Sequence, residues 1–175
     1  NETTELWDVT EDTQKFSDGE GTEEDPYIIA TYDHLVELKD YVAAGKTTAG
    51  KFFKQTADLN LAGEVWEGIG TYVDVDSADN KVFCGVYNGN GKTVSNITFA
   101  KKNYNGFFGN LGGAAIVSNL TITVVGFDLN DTTTQNYGFG AAAGYAMGTD
   151  VLLENNQTVV FGGLTETQTG ESESG

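Results

Sequence analysis

The chain has 175 residues, of which 26 are acidic and nine are lysine, with no arginine, for a formal net charge of −17 at pH 7. A field of that sign repels nucleic-acid phosphates and anionic lipid, which excludes the ordinary nucleic-acid binders and basic membrane-surface anchors. With 39% hydrophobic residues, including ten Phe, eight Tyr and two Trp, one domain with a sizeable core is expected.

Half of the acids fall within residues 1–40, opposed there only by Lys15 and Lys39, so residues 1–15 read as an acidic lead-in. No basic and apolar leader begins at Asn1. No apolar run approaches the roughly 18–20 residues that span a bilayer, so no membrane insertion by this segment is expected. Residues 16–22 form a glycine-punctuated loop, and Pro26 opens a short extended segment at Tyr27-Ile28-Ile29. From Thr31 the period becomes helical. Thr31 is a suitable N-cap, Asp33 lies in the first turn, Leu35, Leu38 and Val42 share a face, and Gly45 can take the left-handed stop.

After Gly50 the spacing predicts short strands at 51–55, 59–61, 81–87, 93–100, 106–111, 116–125, 139–145, 151–153 and 158–161. Ser95-Asn96-Ile97-Thr98 returns as Ser118-Asn119-Leu120-Thr121, 23 residues later. A looser pattern places a glycine 10 or 11 residues before an asparagine at Gly85/Asn96, Gly109/Asn119 and Gly144/Asn155. This recurrence predicts stacked β turns of about 23 residues, with Asn96 above Asn119 at a corner. Phe83, Val94, Ile97 and Phe99, then Phe107, Val117, Leu120 and Ile122, would point inward, and the helix would close the first turn. The polar run 130–135 accounts for extra residues before the third copy, and the polar tail 165–175 reads as a linker within a longer chain.

Several phrases in order carry a resemblance: Phe16, Gly19, Gly21-Thr22, Asp25-Pro26-Tyr27-Ile28-Ile29; Lys51-Phe52-Phe53, Thr56-Ala57-Asp58-Leu59-Asn60-Leu61; Trp66, Ile69-Gly70; Phe83, Gly85-Val86-Tyr87-Asn88-Gly89-Asn90-Gly91-Lys92-Thr93-Val94-Ser95-Asn96-Ile97; Gly106-Phe107-Phe108-Gly109; Gly140, Gly144-Tyr145-Ala146, Gly148-Thr149. Over about residues 16–160 the chain resembles GLUG-motif domains, the glycine-rich right-handed β-helix segments of bacterial surface adhesins and of some immunoglobulin-A-cleaving metallopeptidases. Departures are Cys84 inside its phrase, Ala142 where leucine is common, and Asn156-Gln157 in the final strand. The fold class expected is therefore all-β: a short right-handed parallel β-helix over 16–164 with one N-terminal capping α-helix. The resemblance implies an extracellular or cell-surface location on a bacterium and an adhesive or scaffolding role. It names no ligand, and the peptidase relatives carry their zinc chemistry elsewhere.

No residue stands out as catalytic or cofactor-binding. Gly85…Gly91-Lys92-Thr93 fails as a phosphate loop, because five residues intervene instead of four and a strand follows. Asp74, Asp76 and Asp79 are weak candidates for a hard cation, lacking the glycine and distal glutamate of an EF-hand. Asp18, Glu20, Glu23, Glu24 and Asp25 read as a solvated charge run. His34 is the only histidine, which leaves no two-histidine zinc site, and Cys84 is alone and reads as a small packed hydrophobe. Asn96, Asn119, Asn130 and Asn156 head glycosylation-type triplets, but turn roles suit Asn96 and Asn119 better. Gly140-Ala141-Ala142-Ala143-Gly144 favours close packing of turns over a membrane-helix contact.

Three functions follow in order. The first is a non-catalytic module of an exported bacterial surface protein, acting in adhesion or as a spacer, without cofactor, whose partner is an unidentified surface protein or glycan. The second is a carbohydrate-active β-helix enzyme, a polysaccharide lyase or glycosidase; lyases of acidic sugars need cations to hold substrate, and this chain has no arginine. The third is a passive glycan-binding module using Trp66, Tyr72, Tyr87 or Tyr104.

Overall fold

The computed structural model describes residues 19–102, 104–128, 140, 142–147 and 151–160. The lead-in 1–15, the run 130–135 and the tail 165–175 lie outside the described residues. The chain enters through a tight loop in which the Glu20, Gly21 and Thr22 amides all donate to the Asp25 carbonyl, at 2.9, 2.9 and 3.2 Å. Strand β1 (Tyr27–Ile29) follows, then helix α1 (Tyr32–Ala43). The Thr31 hydroxyl accepts from the His34 amide at 3.1 Å, satisfying one of the free donors of the first turn. Gly45 ends the helix at φ 83°, a left-handed conformation that a Cβ would penalise.

The remaining chain alternates among three sets of parallel strands: β2 (Phe52–Gln55), β3 (Leu59–Asn60), β4 (Val65–Trp66), β5 (Val86–Asn88), β6 (Thr93–Phe99), β7 (Leu111–Gly112), β8 (Ile116–Ser118), β9 (Thr121–Phe127), β10 (Ala146–Met147), β11 (Leu152–Glu154) and β12 (Gln157–Val160). One sheet has the order β1-β2-β5-β8-β11, a second runs β12-β9-β6-β3 with β4 also on β6, and β10 pairs β7. Every strand pair is parallel. Between β5, β8 and β11 the chain visits both other sheets, and between β2 and β5 it visits the second, so each circuit returns one strand further along. In the first circuit α1 takes the place in chain order that β3 and β4 take in the next. Its Leu35, Leu38, Tyr41 and Val42 are buried in the same core.

Alternation along each strand sends one side chain in and the next out. The inward column of the first sheet is Tyr27, Phe53, Tyr87, Val117 and Leu153, and that of the second is Leu59, Val94, Ile122 and Thr158. All eight positions expected to point inward are buried, none more than 1% exposed. Among polar residues inside, Gln55 is fully buried. Its Nε2 donates to the Ala57 and Thr93 carbonyls at 2.9 and 3.3 Å, and its Oε1 accepts from the Tyr87 hydroxyl at 2.8 Å. Each group taken from water thereby finds a partner.

The 23-residue turn is corrected by the register. Partners in the first sheet, Tyr27, Phe53, Tyr87, Val117 and Leu153, follow one another at 26, 34, 30 and 36 residues. Asn96 and Asn119 do not stack. Asn119 lies beside Asn88, its Nδ2 donating to Asn88 Oδ1 at 3.3 Å, whereas Asn96 Nδ2 donates to Asn60 Oδ1 at 2.9 Å. The two similar tetrapeptides serve different backbone roles: 95–98 lies within β6 at a register irregularity, and 118–121 turns the corner from β8 to β9. What they share is a left-handed asparagine, at φ 60° and 57°, a conformation that asparagine tolerates better than most residues. The second and third glycine–asparagine copies do register, Phe108 on Ala143 and Ser118 on Glu154, so 36 residues is a whole turn rather than 23 plus an insertion. Of the expected strand 81–87 only Val86 and Tyr87 fall in β5, and 106–110 forms isolated bridges instead of a strand.

Candidate functional site

The acidic loop after Gly70 is built on an antiparallel bridge, in which Thr71 and Lys81 exchange two backbone hydrogen bonds of 2.8 Å. Asn110 Nδ2 clamps its base by donating to the carbonyls of both residues, each at 3.1 Å. Within the loop, Asp74 Oδ1 accepts from the Asp76 amide at 3.1 Å, and Asn80 Nδ2 donates to the Asp74 carbonyl at 2.7 Å. Asp74, Asp76 and Asp79 are all exposed, and among the described residues no group of three acids, histidines or cysteines gathers as a metal-holding set. The loop's polar atoms organise the loop itself.

Beside this loop stand three tyrosines from three circuits. Bridges of Ile69 to Phe108 and of Phe108 to Ala143 set these circuits in register with Gly109 between Gly70 and Gly144; Tyr72 follows Gly70 by two residues and Tyr145 follows Gly144 by one. The Tyr72 and Tyr145 rings lie parallel, 3.5 Å between centroids and 8° apart. Tyr104 meets both edge-on, at 4.9 Å and 89° to Tyr72 and at 5.6 Å and 81° to Tyr145. A hydrogen bond to Tyr145, then burial, then the nearby phenols and Asp74, push the Tyr72 hydroxyl up to about 12. Tyr145 in turn donates to the Met147 sulfur at 3.5 Å. Tyr104 adopts φ 57°, an outlier for a bulky side chain. The neighbouring Asn105 anchors it, fully buried, with Nδ2 donating to the Ala100 carbonyl at 2.8 Å and to the Trp66 carbonyl at 3.3 Å. All three tyrosines keep part of their surface in solvent.

Of the four aromatics considered for glycan contact, two are core residues. Trp66 is 1% exposed, stacked on Phe107 at 5.7 Å with its Nε1 donating to the Phe107 carbonyl at 3.0 Å, and Tyr87 is fully buried. Tyr72 and Tyr104 come together at the surface. Sequence reasoning does not single out Tyr145, because Gly144-Tyr145-Ala146 serves there only as one phrase of the resemblance. The available signal was Gly144, one circuit after Gly109 and two after Gly70, with a tyrosine close behind it as Tyr72 is behind Gly70.

A concavity of about 310 Å³ lies on the outer face of the first sheet, between Glu23, Glu24 and Pro26 on one wall and Phe52, Lys54 and Val86 on its floor. The run 18–25 thus contributes to a cleft, although Asp18 lies outside the described residues. His34 is buried, its Nδ1 accepting from the Ala30 amide at 3.0 Å, and burial lowers its pKa from the ordinary 6.5. Cys84 is half-buried between threonines, its sulfur accepting from the Thr48 hydroxyl at 3.6 Å. Asn156 is committed to the backbone, donating to the Val117 carbonyl at 2.9 Å and accepting from the Leu120 amide at 3.0 Å; Asn130 lies outside the described residues. A Cβ at Gly144 would fall on the Tyr104 carbonyl, so Gly144 lets two circuits pack closely.

No family model matches the chain. A protein of Evansella cellulosilytica named as a Gly-rich membrane protein is 36% identical over 115 residues, which is 64% of this chain and 12% of that protein. Halomucin of Haloquadratum walsbyi is 32% identical over 138 residues, 75% of this chain and 1% of that protein. The chain therefore spans a small fraction of the curated relatives it matches. Among solved structures, a chain from Bacteroides ovatus named as an immunoglobulin A1 protease shares 19% identity, covering 64% of this chain and 30% of its own, with a TM-score of 0.48. A likeness that distant decides neither fold nor activity. Among the described residues no helix is long and apolar enough to cross a membrane.

Proposed function

We propose that the chain is a right-handed β-helix module of the GLUG kind, carried by an exported cell-surface protein, where it acts in adhesion or as a spacer without catalysis. The observation that carries this reading is the parallel ladder: five strands in register along one sheet, each separated from the next by a full circuit of the chain. Stacked circuits make a stiff, extendable body, since each layer rests on its neighbours. Glycines in register at 109 and 144 support the kinship, because only they let one circuit's backbone lie against the next. The surface setting is supported by likeness to a Gly-rich membrane protein and to halomucin, both far longer than the matched stretch. The buried amides of Gln55, Asn105 and Asn110 serve backbone groups, which is architectural work.

Antibodies against the exposed 72–81 loop, applied to intact cells making the full-length parent protein, test the setting. Labelling before permeabilisation is expected, and labelling only afterwards would overturn it. Cells whose parent protein lacks residues 19–160 should detach more readily under flow if the module adheres or holds an adhesive domain outward.

A further inference from the structure

We propose that Tyr72, Tyr104 and Tyr145, with Asp74 at their rim, form a binding site for uncharged polysaccharide. This deepens the surface-module reading and rests on it. Three separate circuits deliver these rings to one half-buried spot at the surface, with centroids 3.5 to 5.6 Å apart, where a core would have enclosed them. Holding Tyr104 at φ 57° costs backbone energy, and strain of that kind gathers where side chains are positioned for contact. The chemistry matches a sugar. Aromatic surface takes the apolar C–H face of a pyranose, while phenol hydroxyls and a nearby carboxylate exchange hydrogen bonds with its hydroxyls. Asp74 lies two residues after Tyr72 on a loop braced by Asn80 and Asn110. Charge narrows the class. A net charge of −17 disfavours uronate and sulfate polymers, and Lys81, at the loop's base, already donates to the Ala78 carbonyl at 3.3 Å.

Affinity electrophoresis of the purified chain through gels containing mannan, β-1,4-galactan or hydroxyethyl cellulose, with polygalacturonate as the anionic comparator, tests the site. Retardation by at least one neutral polymer and none by polygalacturonate is expected. Tyr72→Ala and Tyr145→Ala should each weaken binding about tenfold, the scale of one lost aromatic contact. Tyr72→Phe should fall between them and the parent, and Phe52→Ala, in the other cleft, should change nothing. Melting curves establish that each variant is folded; should the alanine variants fail to fold, Asp74→Ala on the exposed loop provides the test, with about threefold weaker binding expected for one lost hydrogen bond. No retardation by any neutral polymer, binding only to polygalacturonate, or loss in Phe52→Ala with retention in the tyrosine and Asp74 variants would overturn the proposal. Failure here with surface labelling intact removes the glycan site and leaves the module reading, whereas failure of labelling removes the setting on which both rest.

Discussion

At His34 a single imidazole ties the chain entering α1 to the helix itself. Its Nδ1 accepts from the Ala30 amide at 3.0 Å, which a protonated ring cannot do. Burial lowers its pKa from 6.5, partly opposed by Asp33. The unfolded chain therefore binds a proton at a higher pH than the folded chain. The stability this neutral ring confers is present above about 6.5 and is lost as pH falls through the lower, folded value. Urea melts from pH 7.5 to 5.5 should show a steeper loss in the parent than in His34→Gln; equal slopes would exclude His34 as the cause. Residue by residue, the legible part was hydrophobic: Val94, Ile97, Val117 and Ile122 declare themselves by alternation, and Thr31 by its place before an apolar stripe. Gln55 and Tyr145 were not legible, because a buried amide or a surface ring is defined by neighbours one circuit away.

Elements were harder to read than residues, for a physical reason. Circuits here are held in register by backbone ladders and by glycine contacts, and neither demands a fixed number of residues between strands. Turns of 26, 34, 30 and 36 residues stack equally well, so a repeated tetrapeptide misreports the period. The helix, whose signals are all local, was placed almost to the residue. Gly109 shows what the ladder does demand. A Cβ there would strike the Gly70 carbonyl, while the Gly109 amide donates to the Ile69 carbonyl at 2.8 Å. Gly109→Ala must push two circuits apart, and a loss of roughly 3 kcal/mol is expected, at the upper end for overpacking. Denaturant midpoints check this, and a loss under about 0.5 kcal/mol would show that the circuits yield.

For the whole molecule, the two ends of the core differ. At one end α1 lies against β1, and Leu35 and Leu38 are fully buried. At the other the inward column reaches Leu153, which is 45% exposed, and Met147 of the same circuit is 65% exposed. Among the described residues, no strand pairs with the far side of β10, β11 or β12. Amide hydrogen exchange should follow this gradient, fastest in β10–β12 and slowest in β2, β5 and β6; uniform protection would mean that the circuits open as one unit. The same asymmetry has a mechanical sense. Among the described residues the weakest hold lies in β10–β12, and a circuit of 30 to 36 residues pulled from there pays out roughly 100–130 Å of chain before the next is loaded. In the spacer role proposed above, such a body would yield in steps and keep its α1 end folded.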